Sequence, residues 1–383
     1  MLFHGGIGIL DIAPDRARAF SLKVAQCLDA GVKGSSVSIP VTVKKFEDGE
    51  TDIHIESSVR GRDIYVFQSY IAPLGERKYE FENAVSAARS GGGAERIIGV
   101  WPYCFGMRGE RQTKARQSVP IEVWARSAYA MGVEQIVTIG LHTDVIKTIF
   151  RSVGDRGGIQ IEDLPFEPLA ANYVITTAKD RGLDDIVIAS PDAGGTKRAE
   201  SVLRLVSANS VLTPDLALGH KYRGPNGRTE ARRVIGDVKG KSVFVYDDVL
   251  GTLGTIRGAA AMIEEHGAKE IYLIFIHPVF ANGSERNLDL LAANQCVKEI
   301  VVGNTIPLPD FALKCPKVRQ IPLEPFVAEA IHRINGNDSM SELHRYDKIV
   351  SLYKKIAPES GSREVYIRHV PKPGEVQKAE VEK

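Results

Sequence analysis

The chain has 383 residues, of which 43% are hydrophobic and 25% are charged. This composition is typical of a globular protein large enough for two α/β domains. The 49 basic and 48 acidic residues nearly balance, which gives no overall attraction to nucleic acid or to an anionic membrane. We therefore expect any anion-binding site to be local, and we expect neither a nucleic-acid nor a membrane partner.

Cysteine usage indicates a reducing compartment. Cys27, Cys104, Cys296 and Cys315 are widely spaced and form no CxxC pair, so a disulfide framework and a structural zinc site are not expected. The N-terminal residues lack a basic region followed by an apolar run, and no apolar stretch approaches the roughly 18 residues of a membrane span. The expected localisation is cytoplasmic.

Short apolar, β-branched runs alternate with helical patterns along the chain. Strands are predicted at residues 63–68, 96–101, 135–141, 185–190, 242–246, 270–276 and 299–302. Helices are predicted at residues 13–28, 80–90, 123–131, 196–206, 253–266 and 323–333. Because several strands are continuously apolar, they suit positions that are buried on both faces. The alternation predicts an α/β protein with mainly parallel sheets flanked by helices.

Composition also suggests where the chain divides. Residues 150–160 are rich in Gly and charge, which is typical of a crossing between two halves. We therefore expect an N-terminal domain at 1–150, joined by part of 305–354, and a C-terminal domain at 151–304. Residues 221–228 are basic and full of turn formers, so they are predicted to form an exposed, mobile loop, and 355–383 a flexible tail.

The sharpest motif is VFVYDDVLGTLGT, residues 243–255. An apolar strand runs into Asp247 and Asp248, then into a Gly/Thr turn, then into a helix. Acids at the carboxyl end of such a strand lie where open α/β sheets bind ligands, and they can accept hydrogen bonds from the vicinal hydroxyls of a sugar. The turn and the helix N-terminus offer N–H groups to a phosphate. An ordinary strand–turn–helix with two solvated acids is the alternative.

A second strand ends in SPDAGGTKR, which places Asp192 before Gly194 and Gly195 at the start of a helix. This segment is a second candidate anion cradle, with Lys197 and Arg198 nearby; one such turn alone is weak evidence. Three further features are ambiguous by themselves. They are FEDGE at residues 46–50, His142 after an apolar strand, and the basic pair in residues 221–228, which could stabilise charge in phosphoryl transfer.

Taken together, these motifs resemble those of the ribose-phosphate pyrophosphokinases (PRPP synthetases) in order and spacing. The matching segments are FEDGE, VRGRDIYVFQSYIAP, SPDAGGTKR, IGDVKGKSVFVYDDVLGTLGTI, GAKEIYLIFIHPVF and NTIPLP. The similarity covers roughly residues 7–345. It implies two phosphoribosyltransferase-type α/β domains with the active site between them. It further implies transfer of pyrophosphate from Mg-ATP to the 1-hydroxyl of ribose 5-phosphate, in a dimer-based homo-oligomer or a hexamer.

The resemblance also implies roles for individual residues. Lys221 and Arg223 match the catalytic basic pair. The pyrophosphate loop matches at Asp192, Gly194 and Gly195, and the positions linked to Mg²⁺ match at His142 and Asp192. The nucleotide site, which the family completes across a subunit interface, matches at Phe46, Asp48, Glu50, Arg108, Arg111, Gln112 and His142. The ribose 5-phosphate site matches at Asp247, Asp248, Gly251, Thr252, Leu253, Gly254 and Thr255.

The chain departs from the family at several of these positions. Gly251 replaces a usual Asp, and Leu253 is bulkier than the usual Ala, Gly or Cys. The family's Arg-Gln-Asp is Arg108-Gly109-Glu110 here, with Arg111-Gln112 three positions later, and Gly140 and Tyr222 replace a usual Asp and Arg. Two alternatives therefore accompany an active PRPP synthetase. One is a non-catalytic regulatory homologue, and the other is a related transferase that uses a different phosphorylated sugar.

Overall fold

In a computed structural model of the chain, the structure describes residues 6–31, 36–155, 157–223 and 229–353. The described residues divide between two compact α/β units. The first unit draws on Met1–Pro165, Thr305–Pro307 and Leu323–Leu343. The second unit draws on Phe166–Asn304, Leu308–Pro322 and His344–Lys383.

The strands are β1 (Ile7–Asp11), β2 (Ser36–Ile39), β3 (Val41–Lys45), β4 (Thr51–Ile55), β5 (Asp63–Phe67), β6 (Arg96–Val100), β7 (Gln135–Ile139), β8 (Gln160–Leu164), β9 (Ile186–Ser190), β10 (Asp215–Arg223), β11 (Thr229–Ile235), β12 (Ser242–Val249), β13 (Glu270–His277), β14 (Val297–Gly303) and β15 (Val318–Ile321). The α-helices are α1 (Asp15–Gly31), α2 (Leu74–Ser86), α3 (Pro120–Ala130), α4 (Val145–Ser152), α5 (Glu167–Arg181), α6 (Thr196–Asn209), α7 (Gly254–Glu265), α8 (Ser284–Ala293), α9 (Asp310–Lys314), α10 (Glu324–Gly336) and α11 (Tyr346–Leu352). A short π-helical segment, Ala87–Gly91, continues α2.

The first unit contains a parallel sheet and a separate hairpin. Within the described residues, six strands form the sheet in the order β2-β1-β5-β6-β7-β8, and neighbouring strands are all parallel. β3 and β4 pair antiparallel as a two-stranded hairpin. All five residues of β5 are buried, as expected for a strand covered by helices on both faces.

The second unit holds seven described strands in the order β11-β10-β9-β12-β13-β14-β15. The strand pairs are parallel except β10 with β11, which is antiparallel. β9 is buried throughout, and so are the first five residues of β12. The continuous apolar runs predicted buried strands in a mainly parallel sheet flanked by helices. The buried strands β9 and β12, in the middle of this sheet, confirm that prediction.

Parts of the sequence prediction differ from the structure. Of residues 150–160, which were expected to cross between halves, the first three end α4 and Gln160 begins β8, which pairs with β7. The basic segment was expected to be a mobile loop from Lys221 onward, but Lys221 to Arg223 form the end of β10 and pair with β11. Strands β1, β2, β3, β4, β8, β10, β11 and β15 were not predicted. The expected tail at 355–383 lies outside the described residues.

Candidate functional site

Two polar turns lie side by side because the strands that precede them are neighbours. β9 and β12 run parallel, with Ala189 opposite Val245. Ser190 ends β9, while Asp247 and Asp248 lie near the end of β12. The carboxyl ends of parallel strands meet at one edge of the sheet, which is the edge where α/β proteins bind ligands.

The first turn, residues 192–195, is closed by its own acid. Asp192 Oδ1 accepts hydrogen bonds from Gly194 N at 2.9 Å and from Gly195 N at 3.3 Å. Its backbone is extended, and a 3₁₀ turn at Ala193–Gly195 follows and leads into α6. This acid-Gly-Gly turn therefore has a fixed shape before any ligand binds, because a side-chain acceptor satisfies its first N–H groups.

Gly195 brings this turn against the carboxylates of β12. A Cβ atom added at Gly195 would lie 2.6 Å from Ser190 Oγ and 3.3 Å from Asp247 Oδ1. Ser190 cannot give way easily, because it is buried and its hydroxyl donates to Asp192 O at 2.6 Å. Glycine is required by this close approach rather than by its backbone angles. The two sequence motifs thus form one continuous polar surface.

The carboxylate pair, Asp247 and Asp248, is held by a guanidinium group. Arg198 Nη2 lies 3.0 Å from Asp247 Oδ1 and 3.0 Å from Asp248 Oδ1. Burial and the neighbouring charge of Asp248 together raise the pKa of Asp247 to about 6, although Arg198 opposes both effects. A raised pKa of this kind is common among groups at binding sites.

The second turn, residues 250–255, is anchored through its carbonyl groups. The anchoring bonds are Phe280 N to Leu250 O at 3.0 Å, Ala281 N to Gly251 O at 3.2 Å, and Asn287 Nδ2 to Thr252 O at 2.8 Å. Thr252 and Thr255 are exposed. α7 begins at Gly254, so the first N–H groups of that helix have no acceptor within the helix and can bind an anion.

Leu253 and Gly251 differ in how the fold accommodates them. Leu253 is 2% exposed and belongs to the core beneath α7, although its backbone is left-handed at φ 61°. Such a conformation costs a non-glycine residue about 1–2 kcal/mol, which its apolar burial offsets. A Cβ atom added at Gly251 meets no heavy atom within 4 Å. The position where the family usually carries Asp is therefore open space.

The basic pair lies on an edge ribbon of the same sheet. Lys221 is opposite Arg232 and Arg223 is opposite Thr229 in the β10–β11 pairing, with an irregularity between Tyr222 and Arg223. β10 is in turn paired with β9, the strand that leads to the acid-Gly-Gly turn. The backbone of the basic pair therefore belongs to a strand adjacent to this site.

In the first unit, FEDGE forms the loop of the β3–β4 hairpin. Phe46 N donates to Glu50 O at 2.8 Å, and Asp48 Oδ1 accepts from Glu50 N at 3.1 Å. Gly49 adopts φ 93°, which favours glycine. The Phe46 side chain is 44% exposed, with Lys44 Nζ 4.8 Å from its ring centroid. An exposed ring on a closed loop offers a stacking surface for a base.

The segment that replaces the family's Arg-Gln-Asp is shaped around a glycine. A Cβ atom at Gly109 would lie 2.9 Å from Pro120 Cδ, so the usual Gln cannot fit without rearrangement. Arg108 and Arg111 are both exposed. Arg111 Nε lies 3.7 Å from Glu110 Oε1, and Gln112 Nε2 donates to Gln117 O at 3.0 Å. Gln112 therefore closes its own loop.

His142 follows β7 and is half-buried. Gly140, at φ 56°, precedes it, and Leu141 N donates to Asp163 Oδ1 at 3.0 Å. Burial raises the pKa of Asp163, while Lys147 at 3.2 Å opposes the shift. The left-handed backbone gives a physical reason for Gly140, since a side chain at that position would be strained.

The structure thus brings together the predicted sugar and pyrophosphate residues of the second unit. It adds one contact that the motifs alone did not show, namely Arg198 with both carboxylates. The available sequence signal was an arginine in the first turn of α6, where the helix dipole disfavours a cation unless acids pair with it. The predicted nucleotide residues lie in the first unit.

The described residues contain no group of three or more His, Cys, Asp or Glu side chains that could hold a metal by itself. A single carboxylate still suits Mg²⁺, which proteins usually bind through one or two carboxylates together with substrate phosphates. Asp192 fits that pattern, because its described contacts fall on Oδ1. Its Oδ2 could therefore act as a ligand.

Two α/β units with mainly parallel sheets, one of them carrying an acidic pair before a Gly/Thr turn, define a protein of the phosphoribosyltransferase type. Two family models match the chain: the N-terminal domain of ribose phosphate pyrophosphokinase at residues 12–132 and the phosphoribosyl synthetase-associated domain at residues 227–345. The chain is similar to the ribose-phosphate pyrophosphokinase of Marinomonas sp. (strain MWYL1), with 32% identity over 304 residues, 79% of this chain and 90% of the relative. The chain belongs to the ribose-phosphate pyrophosphokinase family.

A second relative and a solved structure support the same family. The ribose-phosphate pyrophosphokinase of Gloeobacter violaceus is 33% identical over 306 residues, 80% of this chain and 86% of that protein. The crystal structure of phosphoribosylpyrophosphate synthetase from Mycobacterium smegmatis superposes with a TM-score of 0.74 at 27% identity, covering 86% of this chain and 99% of that one. In the part of the chain that the structure describes, we find no helix with the length and hydropathy that a bilayer crossing requires.

Proposed function

We propose that this chain transfers pyrophosphate from Mg-ATP to the 1-hydroxyl of ribose 5-phosphate, giving PRPP and AMP for nucleotide biosynthesis. The observation that carries the proposal is the adjacency of the acid-Gly-Gly turn and the carboxylate pair, with Gly195 against Asp247. Acceptors for sugar hydroxyls and donors for phosphate oxygens then belong to one sheet edge. Membership of the family supports the same reaction.

The sugar phosphate is proposed to bind along β12 and the turn that follows it. Asp247 and Asp248 would accept hydrogen bonds from the vicinal hydroxyls. Thr252, Thr255 and the first N–H groups of α7 would bind the 5-phosphate, where the helix dipole favours an anion. The carbonyl anchors of the turn would keep these donors fixed, so little order would have to be gained on binding.

The transfer step forms a bond between the 1-oxygen and the β-phosphorus of ATP and breaks the bond from that phosphorus to the bridging oxygen of AMP. The hydroxyl proton is released. Lys221 and Arg223 are proposed to stabilise charge on the transferred phosphoryl oxygens, which is the main task of a protein in such reactions. Asp192 and His142 are the proposed metal positions, and Mg²⁺ bound there would supply charge neutralisation at the phosphates.

The nucleotide is proposed to bind to the first unit. Phe46 offers an exposed ring to the adenine base, and Asp48 and Glu50 belong to the same loop. Arg108 and Arg111 are the exposed cations in the segment that departs from the family, with Gln112 and His142 completing the set. We also propose a homo-oligomer, built from dimers, in which a second subunit completes this site.

Two departures favour a second candidate. The Pro120 ring crowds a side chain at Gly109, so the family's Gln would require a rearrangement there, and Gly251 lacks the family's acid. A non-catalytic homologue would keep the fold and bind nucleotide while lacking turnover. The open space at Gly251 also suits a related transferase that acts on a different phosphorylated sugar.

A single assay separates these functions: AMP release from ATP and Mg²⁺ by the purified protein, with and without ribose 5-phosphate. We expect AMP only when the sugar phosphate is present, and the Asp247→Asn variant should lose most of this sugar-dependent AMP release. Absence of AMP from protein that is folded and binds ATP would favour the non-catalytic homologue. AMP formation from ATP with another phosphorylated sugar, but not with ribose 5-phosphate, would favour the related transferase.

A further inference from the structure

Arg198 occupies a position that is unfavourable for a cation. It lies in the first turn of α6, at the positive end of the helix dipole, and its side chain is only 18% exposed. Both effects disfavour a charged guanidinium. The compensation is visible, because Nη2 lies 3.0 Å from one oxygen of each member of the carboxylate pair.

The guanidinium group in turn stabilises the ionised forms of the two carboxylates. The Asp247 side chain is 19% exposed and that of Asp248 is 6% exposed. Two adjacent acids with so little solvent repel one another, and burial favours their protonated forms. Burial, followed by Asp248, raises the pKa of Asp247 to about 6 even with Arg198 present. Without that cation the pKa of Asp247 would be higher still.

Two neighbours of the pair, Tyr246 and Gly195, supply no positive charge. Tyr246, on the same strand, is fully buried, and burial and then Glu167 of α5 raise the pKa of its phenol, so it stays neutral. Gly195 contributes only backbone against Asp247. Arg198 is therefore the positive charge that lowers the pKa of Asp247, and it contacts both carboxylates.

Two hydrogen bonds converge on one oxygen of Asp247. Its Oδ1 accepts from Arg198 Nη2 and from Asp248 N, at 3.0 Å and 2.9 Å. The side chain of Asp248 also lies within hydrogen-bonding reach of the Asp247 carboxyl group. Oδ2 can then accept from a ligand hydroxyl in a direction that Arg198 and the backbone together determine.

We propose that Arg198 is a positioning residue that keeps Asp247 and Asp248 ionised and fixes their orientation, so that they accept hydrogen bonds from the vicinal hydroxyls of the sugar. This proposal rests on the proposed function for the identity of the ligand. The ionisation part does not depend on the ligand, because it concerns the protein alone.

The direct test is the titration of the Asp247 carboxyl carbon by NMR in ligand-free protein labelled with ¹³C at aspartate, with Asp247→Asn used to assign the signal. We expect Arg198→Met to raise the apparent pKa by about one unit or more and Arg198→Lys to restore part of the difference. Arg204→Met removes an exposed arginine from the same helix and should titrate like the parent. An Arg198→Met protein that titrates like the parent would overturn the proposal.

A binding measurement tests the consequence. Ribose 5-phosphate affinity should fall about tenfold more for Arg198→Met than for the parent between about pH 8 and about pH 6, since the variant's acids protonate earlier. If Arg198→Met binds ribose 5-phosphate more weakly than the parent by the same factor at both pH values, Arg198 contacts the ligand directly and the positioning role is refuted. If Arg198→Met does not fold, Arg198→Lys carries both measurements. Failure of the proposed function would appear instead as a parent protein that releases no AMP.

Discussion

Restoring the missing acid of the sugar turn should strengthen binding. The variant is Gly251→Asp, which places a carboxylate at the position where the family usually has one. The structure accepts the change, because a Cβ atom at Gly251 meets nothing within 4 Å. Its φ is not in the left-handed region that disfavours side chains, since Gly251 is not among the residues with positive φ.

The size of the effect follows from one added hydrogen bond. A hydroxyl donating to an ionised carboxylate contributes about 1.5–3 kcal/mol. A third acid near Asp247 and Asp248 costs part of this through like-charge repulsion, about 1 kcal/mol in a solvent-accessible turn. The net gain is about 0.5–2 kcal/mol, and the middle of this range corresponds to about tenfold tighter binding of ribose 5-phosphate.

Calorimetric titration of ribose 5-phosphate into the parent, Gly251→Asp and Gly251→Asn would measure the gain. The Asn variant is the matched control, because it has the same size without the charge and should gain less than about threefold. Unchanged or weaker binding by a folded Asp variant would show that the chain compensates for the missing acid elsewhere, and the reasoning from open space would be wrong.

Three further outcomes are expected. Ribose 5-phosphate affinity should fall as the pH drops through about 6, because Asp247 accepts hydrogen bonds from hydroxyls best when ionised and its pKa lies there; the Asp247→Asn variant should lose this part of the pH profile. Leu253→Ala should lower the free energy of unfolding in urea by about 2–4 kcal/mol, and Leu253→Gly should be the more stable of the two, because φ 61° strains Ala and not Gly. Lys221→Ala and Arg223→Ala should each lower turnover far more than ATP affinity, measured by steady-state kinetics and calorimetry.

Each of these has a control or an opposing result. The phosphate group of the ligand itself titrates near pH 6, so the Asp247→Asn profile provides the subtraction, and identical profiles would refute the assignment. If Leu253→Ala is more stable than Leu253→Gly, the backbone there is not strained. If Lys221→Ala and Arg223→Ala both turn over like the parent, the basic pair plays no part in transfer.

The parts of the fold that sequence predicted are those with continuous apolar runs. Ile186–Ser190 and Ser242–Val249 are buried strands whose composition admits few other structures. The strands that sequence missed include edge and hairpin strands such as Gln160–Leu164, in which polar and apolar residues mix without strict alternation. Lys221 to Arg223 were assigned to a loop because basic residues before a turn resemble solvated chain, whereas hydrogen bonding across an edge ribbon makes them a strand.

At the site, the motifs gave the residue types and the structure gave the geometry. Asp247 and Gly195 are 52 positions apart in sequence, and only the pairing of β9 with β12 brings them into contact. The same pairing explains why Arg198 contacts both carboxylates, a relation that no local spacing encodes. The sequence also could not explain Gly109, because glycine is favoured there by the close contact with the Pro120 ring.

The most direct test of pyrophosphoryl transfer is to follow the label of ATP carrying ³²P at the γ-position, with Mg²⁺ and ribose 5-phosphate. The account predicts that the label appears in PRPP and that AMP forms in equal amount, with no ADP. Label in inorganic phosphate with ADP as the nucleotide product, or no AMP from folded protein that binds ATP, would contradict it.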